Sequence, residues 1–133
     1  MLGKGVTVCG RHTTDNSRIN GGGKSTMAIT INIYYTGENG SARAFAEEMI
    51  SLGIVDAIRA KDGNERYDYF YPMEDSETVL LIDRWKDQAS LDEHHHSDLM
   101  PKIAALRERY DLHMKVERYI SDNTETDKEF IRE

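Results

Sequence analysis

The sequence predicts an α+β fold: a four-stranded antiparallel sheet with helices on one face. Apolar residues alternate at period two in four separate stretches and recur at helical spacing in the segments between them. These segments follow one another as β-α-β-β-α-α-β, an order in which helices cover one side of an antiparallel sheet. Hydrophobic residues make up 38% and charged residues 31% of 133 residues, which supports one core and excludes two.

Met27 opens the patterned region. Ile29, Ile31 and Ile33 alternate with Thr30 and Asn32, the pattern of a half-buried strand. Gly37-Glu38-Asn39-Gly40 breaks it. Ser41 then stands where a cap belongs, ahead of Ala42, Phe45, Met49 and Leu52 at helical spacing. Gly53 weakens this helix, yet Ile54, Val55 and Ile58 carry the pattern toward Arg59, so a continuing helix is predicted over 41–59. Lys61-Asp62-Gly63-Asn64 stops it.

Tyr67, Tyr69 and Tyr71 alternate with Asp68 and Phe70 in a second strand ending at Pro72. Glu74-Asp75-Ser76 is turn material, so Thr78 to Trp85 forms an antiparallel neighbour. Helical patterning resumes near Asp87, with a short helix over Ala89–His96. A second, capped by Ser97, carries Met100, Ile103, Ala104 and Leu106. Pro101 falls in the first turn, where its missing amide costs little. His113 to Ile120 is the last strand. The arrangement is ferredoxin-like. In the third strand Leu80 and Ile82 oppose Leu81 and Trp85, so the face without helices also carries apolar side chains. Such a face needs a partner, and we expect two copies to pack sheet against sheet.

The flanks differ from this body, residues 27–120. Residues 1–26 hold six of the ten glycines, and Lys4, Arg11, Arg18 and Lys24 against Asp15. They read as a flexible basic leader of net +3. Residues 121–133 hold five acids and two bases and read as an acidic tail. The whole-chain charge is −7, and from Met27 onward it sums to −10. That balance excludes a phosphate-backbone partner and disfavours an anionic membrane surface. No apolar run reaches the length of a signal sequence or a membrane span. Cys9 is the only cysteine, so no internal disulfide forms, and a cytoplasmic location is expected. Gly23-Lys24-Ser25-Thr26 imitates the end of a phosphate-binding loop, but Arg18 occupies the place of the required glycine and a strand pattern follows.

The segment Asp83 to Ser97 carries the most chemical information. His94-His95-His96 does not converge on one ion, because successive helical residues diverge by about 100°. The residue at i+4 from His94 is Asp98, which does not complete a two-histidine helical site. No resident metal is expected.

Asp83-x-Trp85, a polar turn and Leu91-x-x-His94-x-x-Ser97 resemble the antibiotic biosynthesis monooxygenase family. These are small dimeric α+β-barrel proteins that include quinol monooxygenases. Asp83 replaces a more usual glutamate. Gly63-Asn64-Glu65-Arg66-Tyr67 is similar to the family's Gly-x-x-x-Tyr lead into strand two, and Gly40 and Arg118-Tyr119 also match. Many relatives have a second histidine where this chain has Leu99. The asparagine, tryptophan and histidine of the haem-degrading branch are replaced by Ile33, His94 and Ala104, which sets that branch aside.

The resemblance implies oxidation of a small phenol or quinol by dioxygen, with no cofactor, in a homodimer. His94 is the candidate base, since imidazole titrates near neutrality. Trp85, Tyr67, Tyr69 and Phe70 are candidates to line an aromatic pocket, and Asn32 or Arg59 to hold polar substituents. Plainer roles stand beside these: His94 as a structural hydrogen-bonder, Trp85 as core, and the tyrosines as an ordinary strand face or interface. Two other functions share the fold. One is an isomerase of phosphorylated sugars, which would need basic residues such as Arg59, Arg84 or Lys102 in the pocket. The other is a non-catalytic small-molecule-binding or stress-associated dimer.

Overall fold

The computed structural model describes residues 27–122 and 125–132. The expected leader, 1–26, lies outside the described residues, as do 123, 124 and 133 of the expected tail. The order is β1 (Ile29–Thr36), α1 (Ser41–Ser51), α2 (Ile54–Arg59), β2 (Asn64–Phe70), β3 (Thr78–Trp85), α3 (Gln88–His95), α4 (Leu99–Arg109) and β4 (His113–Ile120), followed by a 3-10 segment, Glu125–Phe130. The strands form one antiparallel sheet in the order β2-β3-β1-β4. This is the ferredoxin-like arrangement expected from the pattern.

Alternation in β3 sorts the two faces. Val79, Leu81, Asp83 and Trp85 are buried, while Leu80, Ile82 and Arg84 between them are only partly covered. The register sets Ile29 opposite Trp85 and Ile31 opposite Asp83, so these residues share one face. On that face Phe45 and Met49 of α1, Val55 and Ile58 of α2, Leu91 of α3, and Ile103 and Leu106 of α4 join Tyr35, Leu81 and Trp85 in a single core. Each large apolar side chain buried there contributes about 1.5–3 kcal/mol. Glu48 ties α1 to α4, accepting hydrogen bonds from Arg109 and from the Tyr110 hydroxyl.

Four local expectations are corrected. The helix over 41–59 is two helices, because Gly53 adopts a left-handed conformation (φ 78°) that ends one and starts the other. Gly40 (φ 80°), not Ser41, occupies the cap position of α1; the Ser41 hydroxyl instead accepts from the Glu38 amide. Strand β2 starts earlier than expected, at Asn64, and stops at Phe70, leaving Tyr71 outside. Its register against β3 shifts between Asn64 and Arg66. Asp98 precedes α4 in place of Ser97, whose hydroxyl serves the site described below. No helix among the described residues is long and apolar enough to cross a membrane.

Candidate functional site

The site is built where β3 runs into α3. Asp87 caps α3, its carboxylate accepting from the Ser90 amide at 2.9 Å. The helix then turns Leu91 and His94 inward. The His94 ring lies on the Trp85 indole with centroids 4.8 Å apart and planes 24° from parallel. Both residues are buried, Trp85 at 1% and His94 at 3% exposure.

A lysine from outside both elements completes the arrangement. Lys61 follows α2, and its Nζ lies 3.0 Å from His94 Nδ1 and 2.9 Å from Ser97 Oγ. Ser97 Oγ in turn donates to the His94 carbonyl at 2.7 Å. An ammonium can only donate, so a charged Lys61 makes Nδ1 the acceptor and leaves the imidazole hydrogen on Nε2. Burial, then the Lys61 charge, then His95, press the His94 pKa down to about 4. Burial also lowers the Lys61 pKa, opposed by the negative charges of Glu93 and Asp83. These groups border a cavity of about 220 Å³, walled by Lys61, Gly63, Trp85, Ser90, His94 and Ser97 among others. Lys61 is the one cation on its lining. Gly63 is required by space: a Cβ there would stand 2.1 Å from Ser90 Oγ and 2.2 Å from Ser90 Cβ.

Behind Trp85 the same face holds a second group of polar side chains. Asp83 is 6% exposed and sits opposite Tyr67 on β2. Burial raises its carboxyl to about 7, against the Trp85 indole N–H, the Asn64 amide and the Lys61 charge, which favour the ionised form. The indole N–H and the Tyr69 hydroxyl close no hydrogen bond of normal geometry. Tyr67 and Tyr69 meet edge to face at 5.9 Å. Burial pushes the Tyr35 hydroxyl up to about 12 and raises Tyr67 and Tyr69 as well. All three phenols are neutral near pH 7, so none serves as a base there.

Of the residues expected from the sequence, Trp85 and His94 meet directly, and Tyr67 and Tyr69 share their face of the sheet. The others lie elsewhere. Asn32 pairs with Ile82 and Phe70 with Leu80, so strand alternation puts both on the opposite face, away from Trp85. Arg59 donates twice to the Tyr67 carbonyl, at 3.0 and 2.8 Å, and pairs with Asp68 at 3.1 Å. It clamps α2 to β2 and does not line the cavity. The sequence marks Gly63 only as part of the lead into β2, and it marks neither Lys61 nor the ionisable character of Asp83. Lys61 reaches His94 across 33 positions of sequence, and Lys61-Asp62-Gly63 reads simply as a helix stop. Among the described residues no three His, Cys, Asp or Glu side chains are grouped to hold a metal.

Comparison with known proteins agrees with the fold. The chain belongs to the antibiotic biosynthesis monooxygenase family, whose sequence model matches residues 28–106. It is 32% identical over 53 residues to "Putative monooxygenase YcnE" of Bacillus subtilis (strain 168), a match spanning 38% of this chain and 56% of that protein. Among solved structures, PA3566 from Pseudomonas aeruginosa superimposes with a TM-score of 0.64 at 24% identity, over 76% of this chain and all of that one. SnoaB from Streptomyces nogalater, described as a cofactor-independent oxygenase, superimposes with a TM-score of 0.61 at 13% identity, over 74% of this chain and 97% of its own. At these identities the two structures speak for the fold.

Proposed function

We propose that this protein is a cofactor-independent monooxygenase that uses dioxygen to oxidise a small phenol or quinol in the cavity beside Trp85. It acts as a cytoplasmic homodimer. The observation that carries this reading is the contact of a buried, neutral His94 with the Lys61 ammonium at 3.0 Å on the wall of the cavity that Trp85 borders. Reaction with dioxygen requires the electron-rich phenolate, and this pair favours it. A phenol that displaces Lys61 from Nδ1 gives its proton to His94, while its oxygen retains the ammonium as counter-ion. Burial first, and the Lys61 charge second, keep a proton off the imidazole; the bound phenolate offsets both by pairing with the imidazolium.

The phenolate then passes an electron to dioxygen and the two fragments recombine at a ring carbon. Loss of water from the resulting peroxide leaves a quinone. One oxygen atom enters the product and the other leaves as water with the two hydrogens lost by the substrate. The balance needs no external reductant. SnoaB's description as a cofactor-independent oxygenase supports an oxygenase that works without a cofactor on this fold.

The isomerase reading is less well supported, because a phosphate needs several donors and the cavity presents one cation. Arg84 is paired with Glu65 at 2.9 Å, and Arg59 is held at β2. The test is oxygen uptake with a panel of quinols and phenols by wild type and His94→Ala. Uptake with at least one substrate, reduced in the variant by the 10²–10⁴-fold that a proton-transfer group typically contributes, is the expected result. Absence of uptake across the panel, or equal activity of the variant, overturns the proposal.

A further inference from the structure

Lys61 differs from Lys86 and Lys115 in what holds its amine. Lys86 pairs with Asp62 at 3.1 Å and Lys115 with Glu117 at 3.7 Å. Lys61 has no carboxylate within ion-pair distance among the described residues, and its Nζ rests against two neutral acceptors, a ring nitrogen and a hydroxyl. It is also the amine that borders the Trp85 cavity. A lysine becomes a nucleophile by losing its proton, which desolvation and the lack of a counter-ion both promote. The direction of its pKa shift agrees. His94 Nδ1 accepts the hydrogen bond that holds the amine against the cavity, and water takes the proton, since the buried imidazole stays neutral. At about 220 Å³ the cavity is smaller than those that hold drug-sized ligands, a size that suits a single-ring compound.

We propose that Lys61 is a reactive amine that condenses with the carbonyl group of a small aromatic aldehyde or ketone bound against Trp85. This is an activity distinct from the oxidation, and it does not depend on it. The neutral Nζ attacks the carbonyl carbon, forming the C–N bond, and the carbonyl oxygen takes up a proton. Loss of one water then replaces C=O by C=N. Nothing is oxidised or reduced. The imine withdraws electrons from the adjoining carbon and so eases proton loss or bond cleavage next to the original carbonyl. The two activities use Lys61 in opposite protonation states.

The test is reductive trapping of the full chain with 4-hydroxybenzaldehyde and cyanoborohydride near neutral pH, without oxygen, followed by peptide mapping. The adduct is expected to accumulate on Lys61 several-fold faster than on Lys86, Lys102 or Lys115. In His94→Gln, labelling of Lys61 is expected to slow while the other three keep their rates. Labelling of Lys61 at or below the rate of those exposed lysines overturns the proposal, as does an unchanged Lys61 rate in the variant. Because trapping excludes dioxygen, it can fail while oxygen uptake succeeds, or the reverse.

Discussion

His94 and Asp83 are buried on the same face of the sheet and titrate in opposite senses. His94 is held down to about 4 from its ordinary 6.5, and Asp83 is held up at about 7 from 3.8. Relative to the unfolded chain, the native state binds fewer protons at His94 and more at Asp83. His94 therefore makes stability rise with pH between about 4 and 6.5, and Asp83 makes it fall between about 4 and 7. At about 1.4 kcal/mol per pKa unit, the first amounts to about 3 kcal/mol and the second to about 4 kcal/mol. The two slopes largely cancel in wild type. Removing one exposes the other: relative to wild type, Asp83→Asn should gain stability as pH rises from 4 to 7, and His94→Gln should lose it. Urea unfolding at half-unit pH steps checks this, and parallel curves for all three proteins would refute it. At this scale the sequence is legible where residue type and local spacing suffice, as with Trp85 and His94. Asp83 shows in the same motif, but its ionisation depends on burial, and Lys61 depends on a tertiary contact. Neither burial depth nor a contact between distant segments is written in local spacing.

The order of elements follows from periodicity because each strand and helix buries one stripe of side chains. Breaks within elements are less legible, since Gly53 is compatible with both a weakened helix and a left-handed turn until packing decides. Alternation in β2 and β3 is readable, yet which set of side chains faces the helices depends on the irregularity between Asn64 and Arg66. That choice separates Tyr69 from Phe70. The approach of α3 to the start of β2 is a further tertiary fact, and it rests on Gly63. In Gly63→Ala the new Cβ would collide with Ser90 Cβ, which is fixed to the backbone of α3 and cannot rotate away. The expected loss is about 1–3 kcal/mol, measured by chemical denaturation. The double variant with Ser90→Gly should recover most of it. A single variant as stable as wild type would show that α3 moves freely, and the cavity wall would then have to be redrawn.

Across the whole molecule the helices occupy one face of the sheet, and Tyr34, Leu80, Ile82 and Phe70 stand on the other. Lys115 lies over the Tyr34 ring at 5.5 Å and Arg66 over Phe70 at 5.3 Å, which covers this face only in part. Pairing with a second copy would bury it, and this is the dimer expected from the double-sided pattern of β3. Light scattering should give twice the chain mass of 15.2 kDa, and Ile82→Arg should lower it toward the monomer value. A wild-type mass of one chain would sink the dimer. The stacking of Trp85 on His94 has a practical consequence. Trp85 is the only tryptophan in the chain, so the indole band of its absorption and emission originates wholly at the junction of β3 and α3. Substrate arrival, imidazole protonation and helix displacement all become optical events in the unlabelled protein.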